Sequence, residues 1–478
     1  MLVGREHEVQ ELNRLYGSGE AELVAIYGRR RVGKTYLVNE TFSSRITFSH
    51  AGLSPADGSV GATLRLQLDH FAQSLELQGA KEAKRPKSWL EAFFLLEKHL
   101  QNIDDGSRQV VFLDELPWLD TPRSGFLTAF EAFWNSWGCS RKNLMVIVCG
   151  SATSWVLDRL INNHGGLYNR LTYEIRLAPF TLGQCEKLLE SRHVHMSRYD
   201  IAQAYMTCGG IPYYLNYLEG SRSLAQNIDA LFFSRGAKLA NEFDRLFDSV
   251  FTNPDTEKAI VRFLNTRRRG FRRAEIADAL GTKDGGRLSR NLKALIASDF
   301  VERYVPFGYG AREEHYRLID PFCLYYLHFI DGERARSEHY WQEHLDTQQV
   351  VAWRGLAFEN LCFNHVEQIK RALGVSGVRS TYSAWEVRGG EHGEAQIDLL
   401  LQRADNVVNA CECKFYGGEF ALDKGYYQTL LGRHEQLAEA LSRKTSVQPT
   451  LITTFGLRQN QYGWAFTNVI TLDDLFVE

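Results

Sequence analysis

The chain has 478 residues and a formal net charge of −3, so several domains are expected and a global attraction to nucleic acid is not. Its apolar runs reach the length of a strand but not of a membrane span, and its first residues lack a signal-peptide stretch. The 8 cysteines include no Cys-x-x-Cys pair, which argues against a zinc site or disulfide framework, and we expect a cytoplasmic protein without membrane contact.

The first predicted strand, residues 23–27, leads into a match to the phosphate-binding pattern G-x-x-x-x-G-K-[ST]. The two glycines allow a tight loop whose N–H groups converge on phosphate oxygens. Lys34 would reach the β- and γ-phosphates, and the hydroxyl of Thr35 would contact Mg²⁺. A helix predicted over residues 34–40 adds its N-terminal dipole, so the sequence predicts a site for ATP with Mg²⁺. The matching residues are Gly28, Arg29, Arg30, Arg31, Val32, Gly33, Lys34 and Thr35.

A second buried strand is predicted over residues 110–115, and it ends in Asp114 and Glu115. The carboxyl ends of parallel strands meet at the edge of the sheet where ligands bind, so both carboxylates are expected beside the phosphate loop. Asp114 would hold Mg²⁺ through water, and Glu115 would polarise the water that attacks the γ-phosphate.

A third strand, residues 144–150, is followed by Ser151, and a glycine-rich loop over residues 162–170 ends in Arg170. Ser151 would sense the γ-phosphate or position water, and the alternative is that it caps the helix that follows. Arg170 could be presented to the γ-phosphate of a neighbouring subunit in a homo-oligomer. The alternative is an ordinary surface arginine.

These motifs resemble the AAA+-like ATPases of the signal-transduction class, and in particular the prokaryotic archaeal-type ATPase family. Two further segments carry the resemblance, residues 4–12 and the Gly-Gly-x-Pro sequence at residues 209–212. The resemblance implies an α/β core with a helical lid, in which Pro212 lies near the base of ATP. Other AAA+ branches carry a sensing arginine at this place, so slow, switch-like hydrolysis is at least as plausible as vigorous turnover.

The middle of the chain is predicted to be helical and then to run through helix, turn, helix and hairpin. The second pattern is the order of a winged helix. Arginines on its second helix could neutralise DNA phosphates, and the alternative is a structural module between the ATPase and its effector. The predicted helices cover residues 274–280 and 287–298, and the predicted strands cover 300–304 and 315–318.

The C-terminal part places two carboxylates on neighbouring strands. Asp398 and Glu412 are each seven residues from Asp405 in the predicted turn, so symmetric antiparallel pairing sets them opposite one another. Lys414 shares the face of Glu412, because strand side chains alternate. Carboxylates so placed can bind Mg²⁺, and the lysine can orient water or stabilise developing charge. The predicted elements are a helix over residues 352–373 and strands over 383–387, 396–401 and 407–415.

This region resembles the restriction-endonuclease-like PD-(D/E)xK nuclease core. In that resemblance Asp398 is the metal-binding aspartate, and Glu412 with Lys414 forms the E-x-K element. Glu359 is the acidic residue of the first helix. The resemblance implies a Mg²⁺-dependent nuclease that acts on DNA. The alternative is a nuclease-derived fold that no longer cuts.

The sequence as a whole predicts an α/β protein in which ATP binding and hydrolysis gate a nuclease-like effector. The alternative is an ATP-dependent regulatory switch that binds DNA or a protein and has a catalytically silent C-terminal domain. A nucleic-acid motor is less well supported, because the sequence carries no second ATPase core. The expected domains are a P-loop core over residues 1–178, a helical lid over 179–255, a winged helix over 256–335 and a nuclease-like domain over 345–478.

Overall fold

A computed structural model of the chain describes residues 2–54, 63–81, 85–162, 166–167, 169–251, 254–310, 313–332, 336–390 and 393–478. The chain divides into two compact units, each built from three segments. The first unit comprises Met1–Pro179, Asp244–Glu257 and Lys293–Asp299, and the second comprises Phe180–Phe243, Lys258–Leu292 and Phe300–Glu478. No helix in these described ranges combines the length and the apolarity needed to cross a bilayer.

The first unit is built around a parallel sheet with the strand order β2-β3-β4-β1-β5. Strands β1, β3 and β4 are buried at every position, as expected for parallel strands covered on both faces. Because β4 lies between β1 and β3, the carboxyl ends of these three strands share one edge of the sheet. The strands are β1 (Glu22–Tyr27), β2 (Ile46–Ala51), β3 (Gln109–Asp114), β4 (Leu144–Gly150) and β5 (Tyr173–Arg176).

Helices with aromatic side chains cover this sheet. Trp89 of α4 lies 5.0 Å from Phe126 of α6 between ring centroids, and Phe93 lies 5.2 Å from Phe133. All four side chains are buried, so they belong to the core that supports the sheet. The helices are α1 (Glu6–Tyr16), α2 (Lys34–Phe42), α3 (Leu64–Leu77), α4 (Trp89–Asn102), α5 (Leu116–Leu119), α6 (Phe126–Ser136) and α7 (Thr153–Val156).

The segment that follows β5 is helical, which confirms the secondary structure predicted from the absence of strand-like alternation. Thr181 begins the first of these helices with a capping box that it forms with Gln184. The role of the segment as a lid stays a prediction. Its helices are α8 (Leu182–Ser191), α9 (Arg198–Cys208), α10 (Pro212–Leu215), α11 (Leu224–Phe232) and α12 (Glu242–Val250).

The next elements follow the predicted order of helix, turn, helix and hairpin. Their strands form an antiparallel sheet with the order β6-β8-β7, in which the short strand β6 is an addition to the prediction. The assignment of this region as a winged helix stays a prediction. The elements are α13 (Pro254–Leu264), β6 (Phe271–Arg272), α14 (Arg273–Ala279), α15 (Gly286–Ala297), β7 (Val301–Tyr304) and β8 (His315–Leu318).

The C-terminal part contains a mixed sheet with the order β13-β12-β11-β10-β9. Strands β9, β10 and β11 pair antiparallel, whereas β11, β12 and β13 pair parallel. The elements are α16 (Pro321–Phe329), α17 (Tyr340–His344), α18 (Gln348–Asn364), α19 (Val366–Ala372), β9 (Ser380–Gly390), β10 (Gly393–Arg403), β11 (Val407–Lys414), α20 (Lys424–Ala440), β12 (Ser446–Thr453) and β13 (Asn468–Thr471).

Two predictions for the C-terminal part have different outcomes. Leu399 pairs with Cys411, and this register is centred on Asp405 as predicted. The single helix predicted over residues 352–373 is wrong, because α18 and α19 are separated at His365, whose backbone leaves the helical region with φ −120° and ψ 29°. Its buried imidazole accepts a hydrogen bond from the backbone N–H of Leu182, a contact that hydrophobic periodicity does not encode.

Candidate functional site

The phosphate-binding loop joins the end of β1 to the start of α2. Gly28 has φ 143°, and a Cβ atom there would lie 2.2 Å from the carbonyl oxygen of Leu177. Gly33, at φ 94°, also has the left-handed backbone that favours glycine. Arg31 has φ 73°, although it is not a glycine. The two glycines of the sequence pattern therefore stand where the backbone requires them.

Lys34, the first residue of α2, is turned back onto the loop. Its Nζ donates to the carbonyl oxygens of Gly28, at 2.9 Å, and Arg29, at 3.0 Å. The side chain is buried, and burial lowers the pKa of the ammonium group below its ordinary value. A buried ammonium group that donates its hydrogen bonds to neutral carbonyl oxygens is well placed to receive an anion.

Thr35 and Asp114 bring the loop and the end of β3 together. The hydroxyl group of Thr35 donates to Oδ2 of Asp114 over 2.7 Å. Asp114 is buried, and this burial raises its pKa. An alcohol and a carboxylate that meet in this way supply the oxygen donors that Mg²⁺ prefers, so their chemistry fits the cation.

Glu115 follows β3 with φ 45° and ψ 50°, a left-handed conformation. Its Oε2 accepts hydrogen bonds from the backbone N–H of Ser151, at 3.0 Å, and from the Ser151 hydroxyl, at 2.8 Å. The alternative role of Ser151 as a helix cap is wrong, because Ala152 occupies the N-cap position of α7. The structure therefore joins two predicted residues that the sequence alone could not connect.

Val32 and Arg30 of the loop make contacts that the sequence did not predict. Arg5 donates to the carbonyl oxygens of Ala178, at 2.7 Å, and Val32, at 3.5 Å. The guanidinium group of Arg30 lies 5.6 Å from the ring centroid of Trp118. Arg29 is buried. The only local signal for these contacts is the occurrence of Arg5 in the motif at the start of the chain.

The prediction for the nucleotide site also includes Arg170 and Pro212. Arg170 is exposed, and residues 163–165 and 168 of its glycine-rich loop lie outside the described ranges. Pro212 begins α10 in the second unit, after Gly210, where a Cβ atom would lie 1.9 Å from the carbonyl oxygen of Phe180. The contribution of Arg170 to a neighbouring subunit and the place of Pro212 near the base stay predictions.

The second candidate site lies where the middle of β10 faces the end of β11. Nζ of Lys414 donates to Oδ2 of Asp398, at 3.4 Å, and to Oε2 of Glu412, at 3.1 Å. The backbone N–H of Cys413 also donates to Asp398 over 3.0 Å. Burial, together with the charge of Glu412, raises the pKa of Asp398. The predicted convergence of these three side chains is therefore present.

Helix α20 adds two partners of Glu412 that the sequence reasoning missed. The hydroxyl of Tyr426 donates to Oε2 of Glu412 over 2.5 Å, and Nη1 of Arg433 donates to Oε1 over 3.0 Å. The two residues are seven apart, so they lie on one face of the helix. This seven-residue spacing, on a helix that follows a strand with a glutamate, is the sequence signal that could have identified them.

Glu359 of α18 belongs to the same acidic region and has a partner from the middle of the chain. Nη1 of Arg268 donates to Oε2 of Glu359 over 2.8 Å. Burial and the nearby charge of Asp398 raise the pKa of Glu359 to about 7. Among the described residues, no three His, Cys, Asp or Glu side chains are arranged to hold a metal ion together. The oxygen donors of Asp398 and Glu412 suit Mg²⁺ by type, but both accept hydrogen bonds from Lys414.

A glycine-framed loop between a buried parallel strand and a helix, with a lysine that follows the loop and an aspartate at the end of β3, on the far side of β4, characterises a P-loop nucleotide-binding domain. Residues 2–218 match the sequence model of a family described as an ATPase domain predominantly from Archaea. An uncharacterized protein of Methanocaldococcus jannaschii is 26% identical over 419 residues, which cover 84% of each chain.

Two solved structures are also similar to this chain. The Walker-type ATPase of Pyrococcus abyssi is 19% identical, with a TM-score of 0.48 over 68% of this chain and 96% of that one. The ORC2 protein of Aeropyrum pernix is 16% identical, with a TM-score of 0.42 over 69% of this chain and 94% of that one.

Proposed function

We propose that the protein binds and hydrolyses ATP and that its nucleotide state controls a nuclease-like site in residues 345–478 that acts on DNA. The observation that carries the nucleotide part is the hydrogen bond between Thr35 and Asp114, which is 2.7 Å long. It sets a hydroxyl and a carboxylate beside a loop whose backbone suits phosphate.

In this proposal each side chain of the nucleotide site has a separate task. Lys34 exchanges its bonds with loop carbonyls for bonds with the β- and γ-phosphates. Thr35 and Asp114 hold Mg²⁺, which neutralises phosphate charge when it is bound. Glu115 polarises the attacking water, and Ser151 fixes the orientation of that carboxylate. Arg170 of a neighbouring subunit completes the site, so full turnover requires a homo-oligomer.

The C-terminal site would use Asp398 and Glu412 as ligands of Mg²⁺, which activates water and stabilises charge on phosphate. Lys414 stabilises the charge that develops on the phosphate group. Arg268 offers a means of control, because an arginine from the middle of the chain is paired with Glu359 of this acidic region. Arg287 and Arg290 are exposed on α15, which supports a DNA contact through residues 256–335.

A second candidate function is an ATP-dependent switch with a silent C-terminal domain. The observation that favours it is the number of partners that the chain itself supplies to the carboxylates. Glu412 accepts from Lys414, Tyr426 and Arg433, and Asp398 accepts from Lys414. A carboxylate with this many internal donors must give up some of them before it binds a cation.

Cleavage of linear and plasmid DNA with and without Mg²⁺ and ATP tests the proposal. We expect Mg²⁺-dependent cleavage that ATP alters and that Asp398→Asn removes, while ATP turnover persists. Asp405→Asn is the matched control, because this turn carboxylate lies in the same hairpin and pairs with Arg403. If the wild type cuts no DNA in either nucleotide state, the nuclease proposal is wrong. DNA retention that is lost in the Arg287→Ala, Arg290→Ala double variant would then support the switch.

A further inference from the structure

The second unit contains a cleft of about 650 Å³ beside the three-stranded sheet. One wall is formed by the segment that leads into β6 and α14, and another by residues 304–309 at and just after the end of β7. Strand β9, the edge strand of the C-terminal sheet, closes the cleft through Trp385 and its neighbours. The side chains that matter here are Arg267, Arg269, Arg272, Tyr304, Tyr309 and Trp385.

A smaller cavity of about 160 Å³ lies beside this cleft, next to the candidate nuclease site. Asp398 and Glu359 line the smaller cavity, together with Arg268. Arg269 and Ala384 line both the cleft and the cavity, so the two spaces are adjacent. The arginine-rich cleft and the cavity that contains the acidic residues therefore share part of one wall.

The chemistry of the cleft combines guanidinium groups with aromatic faces. The guanidinium carbon of Arg272 lies 5.6 Å from the ring centroid of Tyr309, a side chain that is 45% exposed. The hydroxyl of Tyr304 donates to the backbone carbonyl of Arg269 over 2.7 Å, which fixes the orientation of that ring. Rings held in this way offer a flat surface on which a base can stack.

Each arginine of the cleft is already paired with a carboxylate. Arg267 donates to Glu275 over 2.6 Å and Arg272 donates to Glu313 over 3.0 Å, and Arg269 is paired with Glu386. A guanidinium group carries five N–H donors, more than one carboxylate can accept, so a phosphate can share it. Exchange between carboxylate and phosphate also makes binding sensitive to salt.

We infer that this cleft binds a short stretch of single-stranded nucleic acid and leads it towards Asp398 and Glu359. Bases in a duplex stack on one another, whereas an unpaired base can stack on Tyr309 while its phosphate meets Arg272. A free mononucleotide would fill the cleft but would not extend towards the adjacent acidic cavity. That the strand runs towards Asp398 and Glu359 rests on the proposed nuclease-like role of those carboxylates. The substrate class is single-stranded nucleic acid.

Binding of fluorescent twelve-nucleotide single strands to the full chain tests the inference, measured by anisotropy in EDTA so that no cleavage is needed. DNA and RNA strands, a duplex of the same sequence and a mononucleotide are compared. We expect single strands to bind most tightly and Tyr309→Ala to weaken them about tenfold, the effect of losing one stacked base. For Arg272→Ala we expect weaker binding and a slope of log affinity against log salt that is smaller by about 0.7.

Two matched variants separate the cleft from the general surface. Arg222→Ala removes an exposed arginine of the same unit that pairs with Glu219 over 3.1 Å. Trp464→Ala removes an aromatic ring that is 71% exposed and close to β13, at the opposite edge of the sheet from β9. Both should bind single strands like the wild type. Equal losses in the cleft and control variants, or tighter binding of the duplex or the mononucleotide, would overturn the inference.

The outcomes also separate this inference from the proposed nuclease. If the cleft variants lose binding but the wild type cuts no DNA, single-strand binding in the cleft is supported and the nuclease proposal is wrong. If Mg²⁺-dependent cleavage is found and remains unchanged in Tyr309→Ala and Arg272→Ala, the nuclease proposal is supported and the inference that the cleft leads the strand to the site is wrong.

Discussion

The two candidate sites each combine a pair of carboxylates with one lysine, but the two lysines are bound in opposite ways. Lys34 donates to two carbonyl oxygens of its own loop, 2.9 and 3.0 Å away, and burial lowers its pKa. Lys414 donates to Asp398 and Glu412. Burial alone would lower the pKa of Lys414, yet these two carboxylates raise it above its ordinary value.

This difference separates a site prepared for an anion from a site neutralised by its own residues. At the first site the lysine donates its hydrogen bonds to neutral carbonyl oxygens, while Glu115 and Asp114 act on it only through their nearby charge, so a phosphate can replace those bonds. At the second site the carboxylates already share a cation, so another cation must compete with Lys414. The first site is therefore expected to bind its ligand with little rearrangement, and the second is expected to need a change in Lys414 or Arg268.

The largest expected effect concerns Glu115, the proposed base of the first site. Glu115→Gln should lower ATP turnover by about 10³-fold, because general-base catalysis contributes about 10²–10⁴-fold. ATP affinity should stay unchanged, since the loop and Lys34 remain. Phosphate release and calorimetry measure the two quantities, and Glu174→Gln, an exposed carboxylate on β5, is the control. Undiminished turnover in Glu115→Gln would show that Glu115 is not the catalytic base.

The next effect concerns the stability of the second site. Lys414→Met leaves two buried carboxylates without their shared cation, and the free energy of unfolding should fall by about 3 kcal/mol. Adding Asp398→Asn should recover most of this loss, because it removes one of the two like charges. Urea unfolding followed by tryptophan fluorescence measures the change. By contrast, Lys34→Met should not lower the free energy of unfolding. An equal decrease in this variant would contradict the proposed difference between the two sites.

Lys34 should instead matter for ligand binding. Lys34→Ala should weaken ATP by about 100-fold, since hydrogen bonds to charged groups contribute about 1.5–3 kcal/mol each. Isothermal titration calorimetry in Mg²⁺ buffer measures this affinity. Lys142→Ala is the control, because that lysine is 76% exposed in the same unit. Normal ATP affinity in Lys34→Ala would show that the loop does not bind phosphate as proposed.

Sequence patterns predicted those parts of both sites that depend on nearby residues. The loop from Gly28 to Thr35 follows from backbone requirements within eight positions. The register of Asp398 with Glu412 follows from a short turn, which fixes strand pairing. Both kinds of information are local in the chain.

The partners supplied by distant segments could not be predicted in this way. Arg268 is 91 residues from Glu359 in sequence, and Arg433 reaches Glu412 from a separate helix. Periodicity shows which face of an element is apolar but not which element packs against it. The contact between Ser151 and Glu115 has the same origin, because it joins the ends of two strands whose adjacency only the sheet order reveals.

A smaller effect is expected for Ser151, which in the proposed mechanism orients Glu115 without taking part in the reaction. Ser151→Ala removes the hydroxyl donor but keeps the backbone N–H bond to the same oxygen, so turnover should fall about tenfold, as for the loss of one hydrogen bond of about 1.5 kcal/mol. The KM for ATP should not change. Ser140→Ala, at an exposed position, is the control. A large rise in KM would indicate that Ser151 contacts ATP directly.

The smallest effect is a pH dependence that distinguishes the two lysines. Because the pKa of Lys34 is lowered in the folded protein, part of this side chain loses its proton as pH rises towards the ordinary lysine value. ATP binds better to the charged form, so its affinity should fall as the pH rises towards the ordinary lysine value, and binding should take up protons. Calorimetry in buffers of different ionisation enthalpy measures that uptake. Lys34→Arg should abolish it, since a guanidinium group stays charged throughout this range. Proton uptake that persists in Lys34→Arg would assign the titration to another group and remove this contrast with Lys414.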